Sequence, residues 1–406
     1  MAAMWPPYEL IRKLSGINLV SSKVPFFRKF SPRQGFNGTD QAIEAISKIH
    51  SILLLRGIFQ IPELLTESLI ESHNKLHEVM QKNAEIKAPE KLPVIDFKKL
   101  EKHKFIKQYV NPGHPAVIKG FSATAFSWSL DWFFSNFGDI KFPLINRAYE
   151  SFETQPLKII SEDGNYAFAN SEQLFRDFEF LTKGLENHKL KDILSGHRQF
   201  SAQFFVSSEA GSYTRLHSGH TGFMYYNIQG NKLWDIIDPF YLSLIYAHLN
   251  PFDGRSIVGT FNDERLKSLP LLKYCPRYRV ELEPGDLLWV PCYWWHAVKS
   301  LSKGNLAISN RWNGRPGKNF ADASPVQTRA RKLCYHRLPI FAEAIWYRVN
   351  NLRSKLDFNW YDRVAHGRFA SLPLERKFNG WGCTINLKNT SLLTEMPPIL
   401  KSPWKS

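Results

Sequence analysis

Two histidines, His217 and His296, have the residue type and the surroundings of ligands to one metal ion. His217 ends the strand-like run "SYTRLH", and His296 follows the run "GDLLWVPCYWW". Inward side chains alternate along each strand of a jelly roll, so two distant strands can bring two imidazoles to one ion. Neutral imidazole binds iron, zinc, copper and nickel. Taken alone, a pair separated by 79 positions is more often two structural histidines.

Three polar residues near these histidines could bind a carboxylate. Lys232 lies 15 residues after His217, Thr214 lies three before it, and Asn310 lies 14 after His296. A lysine that points into a jelly roll needs an anionic partner, because a buried ammonium group loses its hydration. The carboxylate of an organic-acid co-substrate would supply that partner, and Thr214 and Asn310 could bond the same acid. The alternative is that Lys232 points outward into water.

The segments that carry these residues predict a mainly β fold with helices on either side. Short β-like runs separated by Gly, Pro, Asn and Asp turns predict an antiparallel sandwich or barrel. Helical spacing predicts two helices before residue 84, one over "SWSLDWFFSNFGD", and more after residue 324. We expect an irregular and helical region at 1–92, a jelly-roll domain at 93–315 and a basic helical region at 316–406.

The segment from about Pro93 to Asn313 resembles the JmjC/cupin-type family of Fe(II)- and 2-oxoglutarate-dependent oxygenases. It is most similar to the subgroup containing the asparaginyl hydroxylase of hypoxia-inducible factor. The matching pieces are "HPAVIKGF", "TRLH…NIQGNKLWDIIDP", "LEPGDLLWVPCYWWHAV" and "ISNRW", in that order. The resemblance implies a double-stranded β-helix, or jelly roll, in which His217 and His296 bind Fe(II).

The same resemblance implies roles for the neighbouring residues. Lys232 and Thr214 would hold the distal carboxylate of 2-oxoglutarate, and Asn310 would lie near the end that chelates iron. An aromatic wall would shape the pocket, and it would consist of Tyr225, Trp234, Trp294 and Trp295. For each aromatic residue considered singly, packing in the core is the alternative.

The sequence departs from the family pattern at Gly219. The family has His-x-Asp/Glu followed far downstream by His, whereas this chain has His217-Ser218-Gly219. In a first hypothesis, chloride fills the vacant position and restores the missing charge, as in the 2-oxoglutarate-dependent halogenases. In a second, water or a substitute ligand such as His220 fills it and hydroxylation persists. In a third, the metal is lost and the fold is a binding module.

Charge and composition bear on partners and location. The net charge is +16, and residues 314–406 hold 16 Lys/Arg against six Asp/Glu. A basic face on the C-terminal helices would favour RNA or an acidic protein, whereas an apolar stripe there fits a homodimer interface. The substrate class stays open between a protein side chain and a small molecule. Four cysteines without a CxxC pair, no long apolar run and no signal-like start favour a cytoplasmic protein without a membrane span.

Overall fold

The computed structural model describes residues 41–313 except 43, 47, 50–51, 54–65, 85, 87, 147–150, 170–171, 195–197, 220, 250–252, 257, 259–260, 262–265 and 268. The described residues between 41 and 53 are helical, as predicted. The second predicted helix is helix α1, which spans Thr66–Asn83. The basic region at 316–406 lies outside the described residues, and so does the dimer interface predicted there.

Within the described part of the chain, fifteen strands form two sheets. The nine strands of the major sheet are β1 Val94–Asp96, β2 Ala116–Lys119, β3 Lys141–Asn146, β4 Ser151–Pro156, β5 Tyr166–Ala169, β6 Arg198–Ser207, β8 Gly222–Gln229, β13 Leu287–Val290 and β15 Asn305–Asn313. The six strands of the minor sheet are β7 Tyr213–Gly219, β9 Lys232–Ile237, β10 Ala247–Leu249, β11 Asp253–Ser256, β12 Tyr278–Leu282 and β14 Trp295–Ser300.

The strand order brings distant parts of the chain together. The major sheet runs β1-β2-β13-β8-β15-β6-β5-β3-β4, and the minor sheet runs β10-β11-β7-β14-β9-β12. Apart from the parallel pair β1–β2, neighbouring strands are antiparallel. The predicted jelly roll is confirmed, and its topology makes β14 the direct neighbour of β7 although about 80 residues separate them.

Short helices flank the sheets. They are α2 Lys102–Phe105, α3 Leu130–Phe137, α4 Ile159–Glu162, α5 Glu172–Asp177, α6 Glu179–Gly184 and α7 Asn187–Lys191. The helix predicted over "SWSLDWFFSNFGD" is present as α3. The hydroxyl of Ser129 accepts a hydrogen bond from the Trp132 amide at its start, and Gly138 follows its last residue. Among the described residues, no helix is long and apolar enough to span a lipid bilayer.

Three apolar clusters hold this arrangement together. One lies between the major sheet and α3 with its neighbouring helices, and a second lies between the minor sheet and α1. The third lies between the two sheets and contains Phe223, Tyr225, Trp234 and Leu288. The third cluster fills only part of the space between the sheets, and a cavity occupies the rest.

Candidate metal and co-substrate site

The two predicted ligands, His217 and His296, lie side by side on adjacent strands. They are directly paired in the β14–β7 register, and their ring centroids are 4.2 Å apart. Both rings are buried, with exposed fractions of 9% and 6%. Two imidazoles this close can each direct one nitrogen to a single ion, as a shared metal requires.

The backbone fixes the tautomer of both rings. The Nδ1 atom of His217 lies 2.9 Å from the Arg215 carbonyl oxygen, and that of His296 lies 3.0 Å from the Trp294 carbonyl oxygen. A carbonyl oxygen only accepts, so each neutral ring donates from Nδ1 and carries its lone pair on Nε2. Metal-binding histidines are typically held in this way, by a second group that bonds the nitrogen away from the metal.

A cavity of about 390 Å³ lies between the two sheets beside these histidines. From the minor sheet its lining includes Thr214, His217, Lys232, Trp234, His296, Val298 and Ser300. From the major sheet it includes Ala167, Phe205, Ser207, Phe223, Tyr225, Ser309 and Arg311. A volume of this size is at the lower end of the range for sites that enclose small molecules.

A β-bulge turns Thr214 toward the cavity. His296 pairs with His217, but Val298, two residues on, pairs with Thr214 rather than with Arg215. Simple alternation would put Thr214, three residues before His217, on the opposite face. The extra residue in β7 restores it to the face that carries His217, which is a known effect of bulges near active sites.

Lys232 is buried in the same cavity. It opens β9, is 5% exposed, and its Nζ donates to the Ser300 hydroxyl 3.0 Å away. Burial lowers the pKa of this ammonium group from 10.5 to about 7. The alternative that it points into water is therefore wrong, and an anion that enters the cavity would restore its charge.

Comparison with known proteins agrees with this architecture. The family model described as a cupin-like domain matches residues 143–318. The described strands have the fold of such a domain, a jelly roll of two sheets. A mouse protein called HSPB1-associated protein 1 is 31% identical over 161 residues, which cover 39% of this chain and 33% of the relative. Its human counterpart is 27% identical over 151 residues, which cover 36% and 30%.

A further relative is JmjC domain-containing protein D of Dictyostelium discoideum, 34% identical over 95 residues, which cover 23% of this chain and 21% of the relative. The predicted resemblance to cupin and JmjC proteins is thus supported at the level of the domain family. The chain spans about a third of the length of the HSPB1-associated relatives.

Gly219 ends β7, two residues after His217. A Cβ atom built on it would meet no atom within 4 Å, so there is room for the first atom of a side chain. Its carbonyl oxygen accepts a 2.7 Å bond from the Tyr293 amide. Among the described residues, no group of three or more His, Cys, Asp and Glu could hold a metal ion. His220, the predicted substitute ligand, lies outside the described residues.

Asn310 does not line the cavity. Within β15 it pairs with Ala202 and Met224 and is fully buried on the face opposite Ser309 and Arg311. Its amide donates to the Oδ1 atom of Asn187 in α7. The structure therefore gives Asn310 a structural contact and does not bring it to the other predicted site residues.

The four aromatic residues of the predicted wall divide into two pairs. Tyr225 and Trp234 line the cavity, with ring centroids 4.7 Å apart, and burial raises the pKa of the Tyr225 hydroxyl. Trp294 instead donates from Nε1 to the Gly113 carbonyl at 2.8 Å, and Trp295 packs against the apolar cluster outside the minor sheet. Neither Trp294 nor Trp295 lines the cavity.

Ser300, Ser309 and Arg311 are among the cavity residues that were not predicted from the sequence. Ser300 lies four residues after His296 on the same strand face, and it pairs with Lys232 in the register. Counting by twos from His296 would have found it. Ser309 and Arg311 could not be found in this way, because the offset across the loop before β15 is not fixed by alternation.

Proposed function

We propose that this chain catalyses the Fe(II)- and 2-oxoglutarate-dependent oxidation of an unactivated C–H bond. One observation carries the proposal: two tautomer-fixed histidines and a buried lysine without an acidic neighbour line the same cavity. The cupin-like domain and the relatives named for a JmjC domain support the class of chemistry.

The histidines and Lys232 have separate tasks in this proposal. His217 and His296 would hold Fe(II) through Nε2, each kept in orientation by its backbone carbonyl. The Lys232 ammonium would bind the distal carboxylate of 2-oxoglutarate, with Thr214 as a second donor. When bound, Fe(II) with 2-oxoglutarate and O2 supplies the oxidising power, and succinate and carbon dioxide are released.

The aromatic residues and Gly219 define the remaining space. Phe223, Tyr225 and Trp234 would exclude water from the reacting groups, since they form an apolar wall on the same cavity. At Gly219 an exogenous ligand, either water or chloride, would take the position that a carboxylate has in related sites. Water at this position would lead to hydroxylation, and chloride would lead to halogenation.

The decisive experiment is an anaerobic titration of the protein with Fe(II), 2-oxoglutarate and then chloride, observed through the visible charge-transfer band. A band indifferent to chloride supports hydroxylation, and a band that shifts with chloride supports halogenation. In aerobic assays, His217→Ala and His296→Ala are expected to abolish succinate production and to weaken metal binding. His188→Ala, which removes a histidine with a 73% exposed side chain on α7, is the matched control. Full succinate production by either cavity variant would refute the metal assignment.

A second candidate function is a binding module without catalysis. It is favoured by the absence of a third metal-ligating side chain among the described residues and by the basic charge of +16. An acidic protein or RNA is the partner class that this charge fits. The absence of any charge-transfer band in the titration, together with salt-sensitive binding to a polyanion, would favour this candidate over the enzyme.

A further inference from the structure

The hydroxyl of Ser300 lies beside the ammonium group of Lys232 on the wall of the cavity. Ser300 ends β14 and pairs directly with Lys232, which opens β9, so the two side chains are neighbours on one face of the minor sheet. Both residues line the cavity, with exposed fractions of 3% and 5%. The Lys232 Nζ atom donates a hydrogen bond to the Ser300 Oγ atom at 3.0 Å.

Backbone hydrogen bonds hold Ser300 in this place. Its N–H donates to the Ser212 carbonyl oxygen at 2.7 Å, and its carbonyl oxygen accepts from the Gly211 amide at 2.8 Å. On its other side the same residue is paired with β9. A serine side chain is short and has few staggered positions, so a fixed backbone also fixes where the hydroxyl oxygen can lie.

The contact with Lys232 determines which way the Ser300 proton points. A charged lysine has only N–H donors, so the Ser300 oxygen accepts and its own O–H must donate elsewhere. Within the described part of the chain, no group accepts a hydrogen bond from this O–H, and Lys232 has no second hydrogen-bond partner. The Ser300 O–H and the remaining N–H groups of Lys232 are therefore adjacent donors that the protein itself leaves available.

We propose that Ser300 binds the same carboxylate as Lys232 and is a further specificity-determining residue of this site. The inference rests on the proposed function, because it takes the distal carboxylate of 2-oxoglutarate as the ligand of Lys232. A carboxylate offers about four acceptor positions, which one ammonium group does not fill. Thr214 lies on the same face, since its partner Val298 is two residues before Ser300, and it would supply another donor.

The test compares two ligands of the Zn(II)-loaded full chain, 2-oxoglutarate and 2-oxopentanoate. Both have the same carbon chain and the same 2-oxo acid group, but 2-oxopentanoate has a methyl group in place of the distal carboxylate. Zn(II) has no redox chemistry, so both ligands can be titrated without turnover. Ligand-observed NMR gives the dissociation constants, and wild-type protein is expected to bind 2-oxoglutarate more tightly than 2-oxopentanoate.

The variant S300A is expected to bind 2-oxoglutarate at least about fivefold more weakly than wild-type protein, because a hydrogen bond to a charged group is lost. Its affinity for 2-oxopentanoate is expected to equal that of wild-type protein, because that ligand has no carboxylate at the distal end. The matched control is S243A, which removes the hydroxyl of a serine that is 1% exposed and lies outside the cavity lining. It is expected to change neither affinity.

The two ligands separate this inference from the proposed function. If wild-type protein binds both ligands equally, or binds neither, the proposed function fails. If wild-type protein prefers 2-oxoglutarate and S300A keeps the same preference, the inference about Ser300 fails alone. It also fails alone if S300A weakens both ligands by the same factor, because the hydroxyl then supports the structure of the site and does not contact the carboxylate.

Discussion

The buried ammonium of Lys232 makes co-substrate binding dependent on pH near neutrality. Its pKa of about 7 means that about a tenth of the molecules carry the charge at pH 8, and about a hundredth at pH 9. A carboxylate binds the charged form, so above pH 7 the protein must take up a proton at Lys232 when the ligand binds. N-oxalylglycine is a non-reacting analogue of 2-oxoglutarate. Its dissociation constant is therefore expected to rise about tenfold between pH 8 and pH 9, a loss of about 1.4 kcal/mol in binding free energy.

Isothermal titration calorimetry can test both parts of this expectation. Titrations of the Zn(II)-loaded protein at pH 7, 8 and 9 give the dissociation constants. Repeating the pH 8 titration in buffers with different ionisation enthalpies gives the proton uptake, which is expected to be about 0.9 per ligand.

The matched control is K232R, because arginine stays charged throughout this range. If K232R binds the analogue at all, its affinity is expected to be flat from pH 7 to 9. A wild-type affinity that is equally flat would refute the argument that burial lowers the pKa of Lys232. A slope that persists in K232R would assign the titration to another group.

Two further predictions concern Gly219 and Asn310. G219D is expected to bind Co(II) at least about tenfold more tightly than G219N, a gain of about 1.4 kcal/mol in binding free energy. The aspartate adds a charged ligand where a Cβ atom meets open space, whereas the asparagine has the same size without the charge. Equal affinities, measured by competition with a chelator, would argue against a vacant metal position. N310A is expected to lower the free energy of unfolding by about 0.5–1.5 kcal/mol, because it removes the amide that donates to Asn187 Oδ1. It is expected to leave N-oxalylglycine affinity unchanged. Urea unfolding and calorimetry measure the two effects, and a selective loss of affinity would restore Asn310 to the site.

The histidine pair and Lys232 could be predicted from the sequence because simple geometry governs them. Both histidines occur in β-like runs of a chain with many short strands, and such runs pair in a jelly roll. Lys232 follows a tight turn and begins a strand whose apolar residues point inward. The structure brings all three to one cavity, whereas residue type and strand pattern alone had left alternatives that only the family resemblance argued against.

Strand alternation could not predict which face of the sheet Asn310 and Thr214 occupy. A shift of one residue along a strand moves a side chain to the other face, so a spacing of 14 residues across a loop cannot fix the face of Asn310. Thr214 is the converse case, because strict alternation from His217 would turn it away and the bulge in β7 turns it back. Neither a bulge nor a loop offset has a signal in one sequence.

The adjacent residues Trp294 and Trp295 pack in apolar clusters, which was the alternative considered for each aromatic residue singly. The backbone of Tyr293 has φ of 67°, a left-handed conformation that is uncommon for a residue with a large side chain. This turn lies just before β14, and the two tryptophans that follow it belong to different apolar clusters. Alternation along β14 places Trp295 on the face opposite His296, so adjacency in the sequence does not imply a shared wall.

The identity of residue 219 is not required by the fold. Gly219 is not among the residues with positive φ, and no atom lies close enough to exclude a side chain. Its carbonyl accepts from the Tyr293 amide and its backbone pairs with Asp253, and any amino acid can make such backbone contacts. Conformation and packing therefore both permit an acid at this position, as the family pattern would have it. A difference between G219D and G219N consequently measures the chemistry of the metal position alone, without a contribution from strain.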